Sequence, residues 1–141
     1  MPDLTHLRVY LDSNVLFSAS LDESSRFLDF WRLHEVTPVV SQYAIGEVTQ
    51  NIKFSGHDAR LANLLKGTEI VSDADSRMIP SDVRLVSKDQ PILAAAIAAS
   101  VDYLATGDKN HFSHLYSRRI SGVLLISPAD FLDLYEDRLP E

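Results

Sequence analysis

Residues 91–100, PILAAAIAAS, constrain the fold more than any other stretch. Pro91 suits the first turn of a helix, where its missing N–H is not needed. Beyond it, apolar residues run almost all the way round the helix, so no face is left for water. Such a helix must be covered on several sides. Directly after it, Asp102–Ala105 reads as a short buried strand, which gives way at once to Thr106, Gly107 and Asp108. A buried helix feeding a buried strand is half of a parallel crossover unit.

The rest of the chain repeats that alternation. Strands are predicted at Leu7–Leu11, Pro38–Val40, Thr68–Val71 and Val123–Ile126, in addition to Asp102–Ala105. Apolar residues at helical spacing predict helices over Ser24–Glu35 (Phe27, Leu28, Trp31) and from Ser41 to about Phe54 (Ala44, Ile45, Val48, Ile52), the second capped by Ser41. Asp58–Lys66, ended by Gly67, and Asp130–Arg138 read as two more. Ser72–Lys88 is polar and only part of it reads as helical. The pattern predicts an α/β fold with a mostly parallel sheet between helical layers, and the 141 residues carry no linker, repeat or low-complexity segment that would divide residues 1–141 into more than one domain.

Composition narrows the function. There are no cysteines, so disulfides and thiolate metal sites are excluded, and a reducing, cytoplasmic setting is expected. The opening MPDLTHLRVYLD lacks the basic-then-apolar order of a secretory signal, and the longest apolar run, Ile92 to Ala99, is too short to span a membrane. A net charge of −7 argues against binding nucleic acid by bulk electrostatics. It is compatible with acids gathered in one pocket and balanced by divalent cations.

Acids do recur where strands end. Parallel sheets place their sites beyond the C-terminal ends of the strands, where strand order reverses. The first strand ends in Asp12, Ser13 and Asn14; the fourth ends in Thr106, Gly107 and Asp108, followed by Lys109 and Asn110. Glu47 lies about two turns into its helix, near the edge of the apolar face, and Asp89 stands at the start of the Ala-rich helix, preceded by Lys88. Each acid has a plain alternative: Asp12, Asp89 and Asp108 as turn or cap residues, Glu47 as an ordinary exposed helix acid. Together in one crevice they would raise each other's pKa values, and a hard divalent cation, Mg2+ or Mn2+, would relieve that repulsion. His111 and His114 are three apart and could bind zinc, but with no cysteine and no second pair they read as surface histidines.

At these residues the sequence resembles the PIN-domain family of nucleases, which includes the toxins of VapBC-type toxin–antitoxin modules. The resemblance rests on VYLDSNVLFSAS, SQYAIGEV, SKDQPILAAAIAASVDYLATGDKNHF and VLLISPADFLDLY. It implies a three-layer α/β/α fold with a parallel sheet of four or five strands in the order 3-2-1-4-5. It implies metal-coordinating, catalytic roles for Asp12, Asp89 and Asp108, with Glu47 binding the metal directly or through water. Ser13, Asn14 and Thr106 would support these acids, and Ser13 or Thr106 would orient a carboxylate or the attacking water. The implied reaction is Mg2+- or Mn2+-dependent hydrolysis of an RNA phosphodiester, leaving 5′-phosphate and 3′-hydroxyl ends. A cognate antitoxin and a homodimer are the implied partners.

Many members carry another acid two residues after the Thr-Gly-Asp acid. Here that position is Asn110, which can offer a carbonyl oxygen but no charge, so a second metal position is in doubt. Lys109 and Lys88 are the candidate substrate contacts, with Arg77, Arg84, Arg118 and Arg119 lining the approach. The alternative reading is a non-catalytic PIN-like scaffold that binds RNA or protein. A phosphoacceptor receiver domain would need two adjacent acids after the first strand, and an aspartyl phosphatase would need Asp-x-Asp there; LDSN offers neither.

Overall fold

The computed structural model describes residues 5–141; the first four residues of the N-terminal segment read above against a signal peptide lie outside the described residues. The chain runs β1 (Leu7–Leu11), α1 (Ser13–Leu21), a 3-10 helix (Arg26–Trp31), β2 (Val36–Ser41), α2 (Gln42–Gln50), α3 (His57–Leu65), β3 (Glu69–Val71), two short 3-10 turns (Ser76–Met78, Ser87–Asp89), α4 (Gln90–Ala98), β4 (Tyr103–Ala105), α5 (Lys109–Phe112), a further 3-10 turn (Ser113–Leu115), β5 (Arg119–Ile120), β6 (Val123–Ile126), α6 (Pro128–Leu134) and a last 3-10 turn (Glu136–Arg138).

The sheet order is β3-β2-β1-β4-β6-β5, with every pairing parallel except β5 with β6. The five parallel strands therefore stand in the expected order, and the sheet has one strand more than expected. β5 is two residues long and returns through Ser121 and Gly122, both at positive φ (49° and 88°), into β6. Two positive-φ residues in a two-residue loop make the tight turn that matches strand twist, which favours glycine.

Strand order reverses between β1 and β4. Right-handed crossovers then send the helices of the two halves to opposite faces of the sheet, giving the three layers. β1 is the centre of the core: Val9, Tyr10 and Leu11 are all fully buried. In α4, Ile92 to Ala96 are fully buried, as a helix without a polar face requires.

Two local expectations are corrected, and one helix had not been expected. Ser24–Glu35 is not an α-helix; only Arg26–Trp31 is helical, and it is 3-10. In a 3-10 helix residues three apart eclipse, so Phe27 sits over Phe30, with ring centroids 6.4 Å apart. Phe30, which α-helical spacing left off the inner face, is the residue fully buried, 5.4 Å from the Phe131 ring. Conversely α1 was not anticipated. Its segment SNVLFSASL hides Val15, Leu16, Ala19 and Ser20 while Phe17 and Ser18 are half-buried, so no simple apolar stripe marks it. α2 stops at Gln50, short of Phe54, because the Asn51 side chain donates to the Glu47 carbonyl at 2.7 Å and closes the last turn.

The register of β1 against β4 builds the site. Leu11 pairs with Ala105, so the next residues, Asp12 and Thr106, leave the sheet side by side. The Asp12 N–H donates to the Ala105 carbonyl at 3.0 Å and carries the pairing one step past the strands.

Candidate metal centre

Asp12 is the N-cap of α1 and is almost fully buried, at 3% exposure. Its Oδ1 accepts the Ser13 N–H at 2.6 Å. Its Oδ2 accepts the Thr106 hydroxyl at 2.7 Å and the Asn14 amide at 3.3 Å. Asn14 in turn accepts the Gly107 N–H at 3.1 Å, which pins the loop after β4 to the start of α1. A Cβ on Gly107 would stand 3.4 Å from Asn14 Oδ1, so the approach is close. Burial pushes the Asp12 carboxyl up to about 6, against the pull of the Thr106 and Ser13 donors and with added repulsion from Asp89 and Glu47.

Glu47 joins Asp12 through one hydroxyl. Ser13 Oγ donates to Glu47 Oε1 at 2.9 Å and lies 3.3 Å from Asp12 Oδ1. Glu47 is half-buried, not the exposed helix acid of the plain alternative.

The other two acids meet across an imidazole. Asp89 holds the N-cap position of α4, yet its side chain makes no capping bond there. Its Oδ2 lies 2.6 Å from His111 Nδ1, and Asp108 Oδ2 lies 2.8 Å from the same nitrogen. Asp108 does cap α5, accepting the His111 N–H on Oδ1 at 3.3 Å. Burial raises the Asp89 pKa, Asp108 adds to the rise, and His111 and Lys88 oppose it.

Thr106 connects the two halves. While its Oγ1 donates to Asp12, the same oxygen accepts the Asp108 N–H at 3.2 Å. Tyr116 holds the Thr106 carbonyl from below at 2.5 Å. The four acids thus form two pairs, Asp12 with Glu47 through Ser13 and Asp89 with Asp108 across His111, joined by one buried threonine.

A divalent cation fits this donor set. Asp89, Asp108 and His111 each offer a ligand atom, all within 4.8 Å of one another. Asp89 Oδ2 and His111 Nδ1 are both buried and have each other as partners, in an ion pair at 2.6 Å. The imidazole thus pairs with both carboxylates, and the three ligand atoms lie close enough together for a small shift to let them share a cation.

His111 was read from sequence as a surface residue, and the structure corrects that. The signal was the Asp108-x-x-His111 spacing, which returns the imidazole under its own helix cap. His114 does lie at the surface, against the Arg84 carbonyl at 2.7 Å. Lys88, Lys109 and Asn110 are exposed beside the acids, whereas Arg77 is drawn off to Asp75.

A model of the PIN domain, PIN_3, matches residues 8–110. The chain belongs to the PIN domain family. Its fold is shared with VapBC2 from Rickettsia felis, solved bound to a DNA fragment from their promoter, at a TM-score of 0.62 and 16% identity over 86% of this chain and 98% of that one. It is shared also with the PIN domain endonuclease Utp24, at a TM-score of 0.51 and 15% identity over 89% and 90%. Among curated proteins, none matches the sequence. No helix among the described residues of this PIN domain is long and apolar enough to cross a membrane.

Proposed function

We propose that this PIN domain is a metal-dependent endoribonuclease that hydrolyses RNA phosphodiester bonds. The observation that carries the reading is the convergence of Asp89 Oδ2, Asp108 Oδ2 and His111 Nδ1 within ligand distance of one another, beside the buried Asp12. A divalent cation bound there would supply a Lewis acid for the phosphoryl oxygen and would acidify a water for attack at neutral pH. Asp89 and Asp108 would hold it, with Asp12 completing the carboxylate wall. Carboxylates suit Mg2+ or Mn2+, and the His111 nitrogen tilts the set toward the transition ion.

The chain's own groups do the rest. Thr106, Ser13 and Asn14 fix the Asp12 carboxylate by three donors, so it keeps its orientation without solvent. Ser13 fixes one Glu47 oxygen, which leaves Oε2 to orient a water and take its proton. Lys109 and Lys88 flank the cleft and would meet substrate phosphates. This is how a chain of charge −7 admits RNA: attraction is local to the cleft mouth.

The finer reading is the toxin of a toxin–antitoxin pair, acting in the cytoplasm as a homodimer that a small antitoxin protein restrains. The shared fold with VapBC2 supports it. The test is cleavage of a mixed pool of single-stranded and structured RNA with Mg2+, with Mn2+ and with a chelator, beside Asp108→Asn. Metal-dependent cutting that disappears in the variant is the expected result. A protein that binds neither metal nor cuts any RNA is instead a PIN-like scaffold.

A further inference from the structure

One pocket shares Ser13, Asn14 and Glu47 with the metal centre and extends away from it. It has a volume of about 440 Å³ and is lined by Ser13, Glu47, Phe17, Asn51, Lys53 and Phe54, among others. That volume lies within the roughly 300–1,000 Å³ of small-ligand sites. Ser13 and Glu47 are the same pair that joins the pocket to Asp12. Whatever occupies the pocket is therefore next to whatever reacts at the acids.

We propose that this pocket is a subsite for one unstacked nucleobase of a single-stranded RNA, adjacent to the phosphate that is cut; the proposal rests on the nuclease reading. Phe54 is 62% exposed, the highest value among the large apolar residues of the described chain. An exposed phenylalanine lining a pocket of mixed polar and apolar character is a stacking surface without a partner. Phe17 is the opposite case. Its ring is held edge-on by the fully buried His57, with centroids 4.8 Å apart, so it forms a fixed wall.

The polar groups suit a base and its backbone. Asn51 spends its amide nitrogen on the Glu47 carbonyl at 2.7 Å, which leaves its oxygen to accept from a base amino or ring N–H. Lys53 is exposed, and no carboxylate pairs with it among the described residues, whereas Arg8, Arg26, Arg32 and Arg77 all have acidic partners. A free ammonium at the mouth of such a pocket fits the phosphate of the bound nucleotide. A base held inside a duplex cannot present its face to Phe54, so the site selects single strands.

The experiment measures binding and cleavage together. A fluorescein-labelled single-stranded oligoribonucleotide of mixed sequence, and the same strand annealed to its complement, are titrated with Asp108→Asn protein in Mn2+ and followed by anisotropy. Phe54→Ala and Phe54→Tyr are made in that background and in the wild-type background. The proposal predicts that Phe54→Ala weakens single-strand binding by roughly 5–100-fold, from the usual strength of base–aromatic stacking, and that Phe54→Tyr restores it. In active protein Phe54→Ala raises KM with little change in kcat, while Lys53→Gln weakens binding and flattens its dependence on salt. Circular dichroism checks that the variants fold, which an exposed residue permits. Equal binding by Phe54→Ala in a protein that still cuts RNA overturns the subsite and leaves the nuclease standing. Equal affinity for the duplex overturns it as well, as does a Phe54→Ala variant that handles RNA normally but loses a protein partner. Wild-type protein that neither binds nor cuts RNA removes the nuclease reading and this proposal with it.

Discussion

His111 Nδ1 lies 2.6 Å from Asp89 Oδ2 and 2.8 Å from Asp108 Oδ2, and the short helix that Asp108 caps is what delivers it there. If the nitrogen is a ligand, His111→Ala weakens Mn2+ binding by at least the roughly 10–100-fold seen when an outer-shell partner is lost. Isothermal titration calorimetry reads this directly. Unchanged affinity would show that the imidazole only fills the space between two acids.

Thr106 makes a prediction separable from catalysis. Thr106→Val keeps the shape, removes the donor to Asp12 and leaves the Asp108 N–H without its acceptor. The expected loss is about 1–3 kcal/mol of stability, measured by urea unfolding, with Thr106→Ser close to wild type. A Val variant as stable as wild type would mean that Asp12 is held well enough by Ser13 and Asn14 alone.

The burial of Asp12 predicts an inverted pH response in metal-free protein. Asp12 ionises at about 6 when folded and near 4 when unfolded. Between those values the folded state binds more protons, so stability falls as pH rises through the window. In chelator, the melting temperature should therefore rise as pH is lowered from 7 to 5, reflecting on the order of 1 kcal/mol over that interval. Saturating Mn2+ should reverse the slope, because the ligands must lose protons to bind it. A melting temperature that falls with acid in chelator would show that the donors around Asp12 outweigh its burial.

Ser13 tests the link within the first pair, Asp12 with Glu47. Ser13→Ala frees Glu47 Oε1 and leaves in place the backbone N–H that donates to the Asp12 carboxylate. Cleavage should lose about 10-fold or more in kcat with little change in stability, since general acid–base assistance is worth roughly 10²–10⁴ and orientation is part of it. An unaffected kcat would remove Glu47 from the proton-transfer role.

Much of this was legible before the structure. β1 has the bounds its apolar run predicts, and the five parallel strands stand in the order the family resemblance implies. α4 was visible because a helix apolar all round has one place to go. What escaped notice escaped for physical reasons. α1 has no clear stripe because residues on more than one side of it are covered. β5 is two residues long, below any periodicity, and only its Ser121-Gly122 turn announced it.

The site was legible as residues and not as an arrangement. Asp12 and Asp108 follow strands that neighbour one another, so strand order alone places them together. That Asp89 would leave its cap unmade and turn to His111 depends on packing between α4 and α5, which no spacing in either segment encodes. Thr106 as the bridge between the pairs likewise depends on the Leu11–Ala105 register.

The most direct test of the central claim is a crystal soaked with Mn2+ and measured for anomalous scattering. The account predicts one strong peak bonded to Asp89 and Asp108, with the His111 ring moved off their direct contact to ligate it. Density with His111 still wedged between the two carboxylates and no peak there would contradict the claim that these acids form a metal centre.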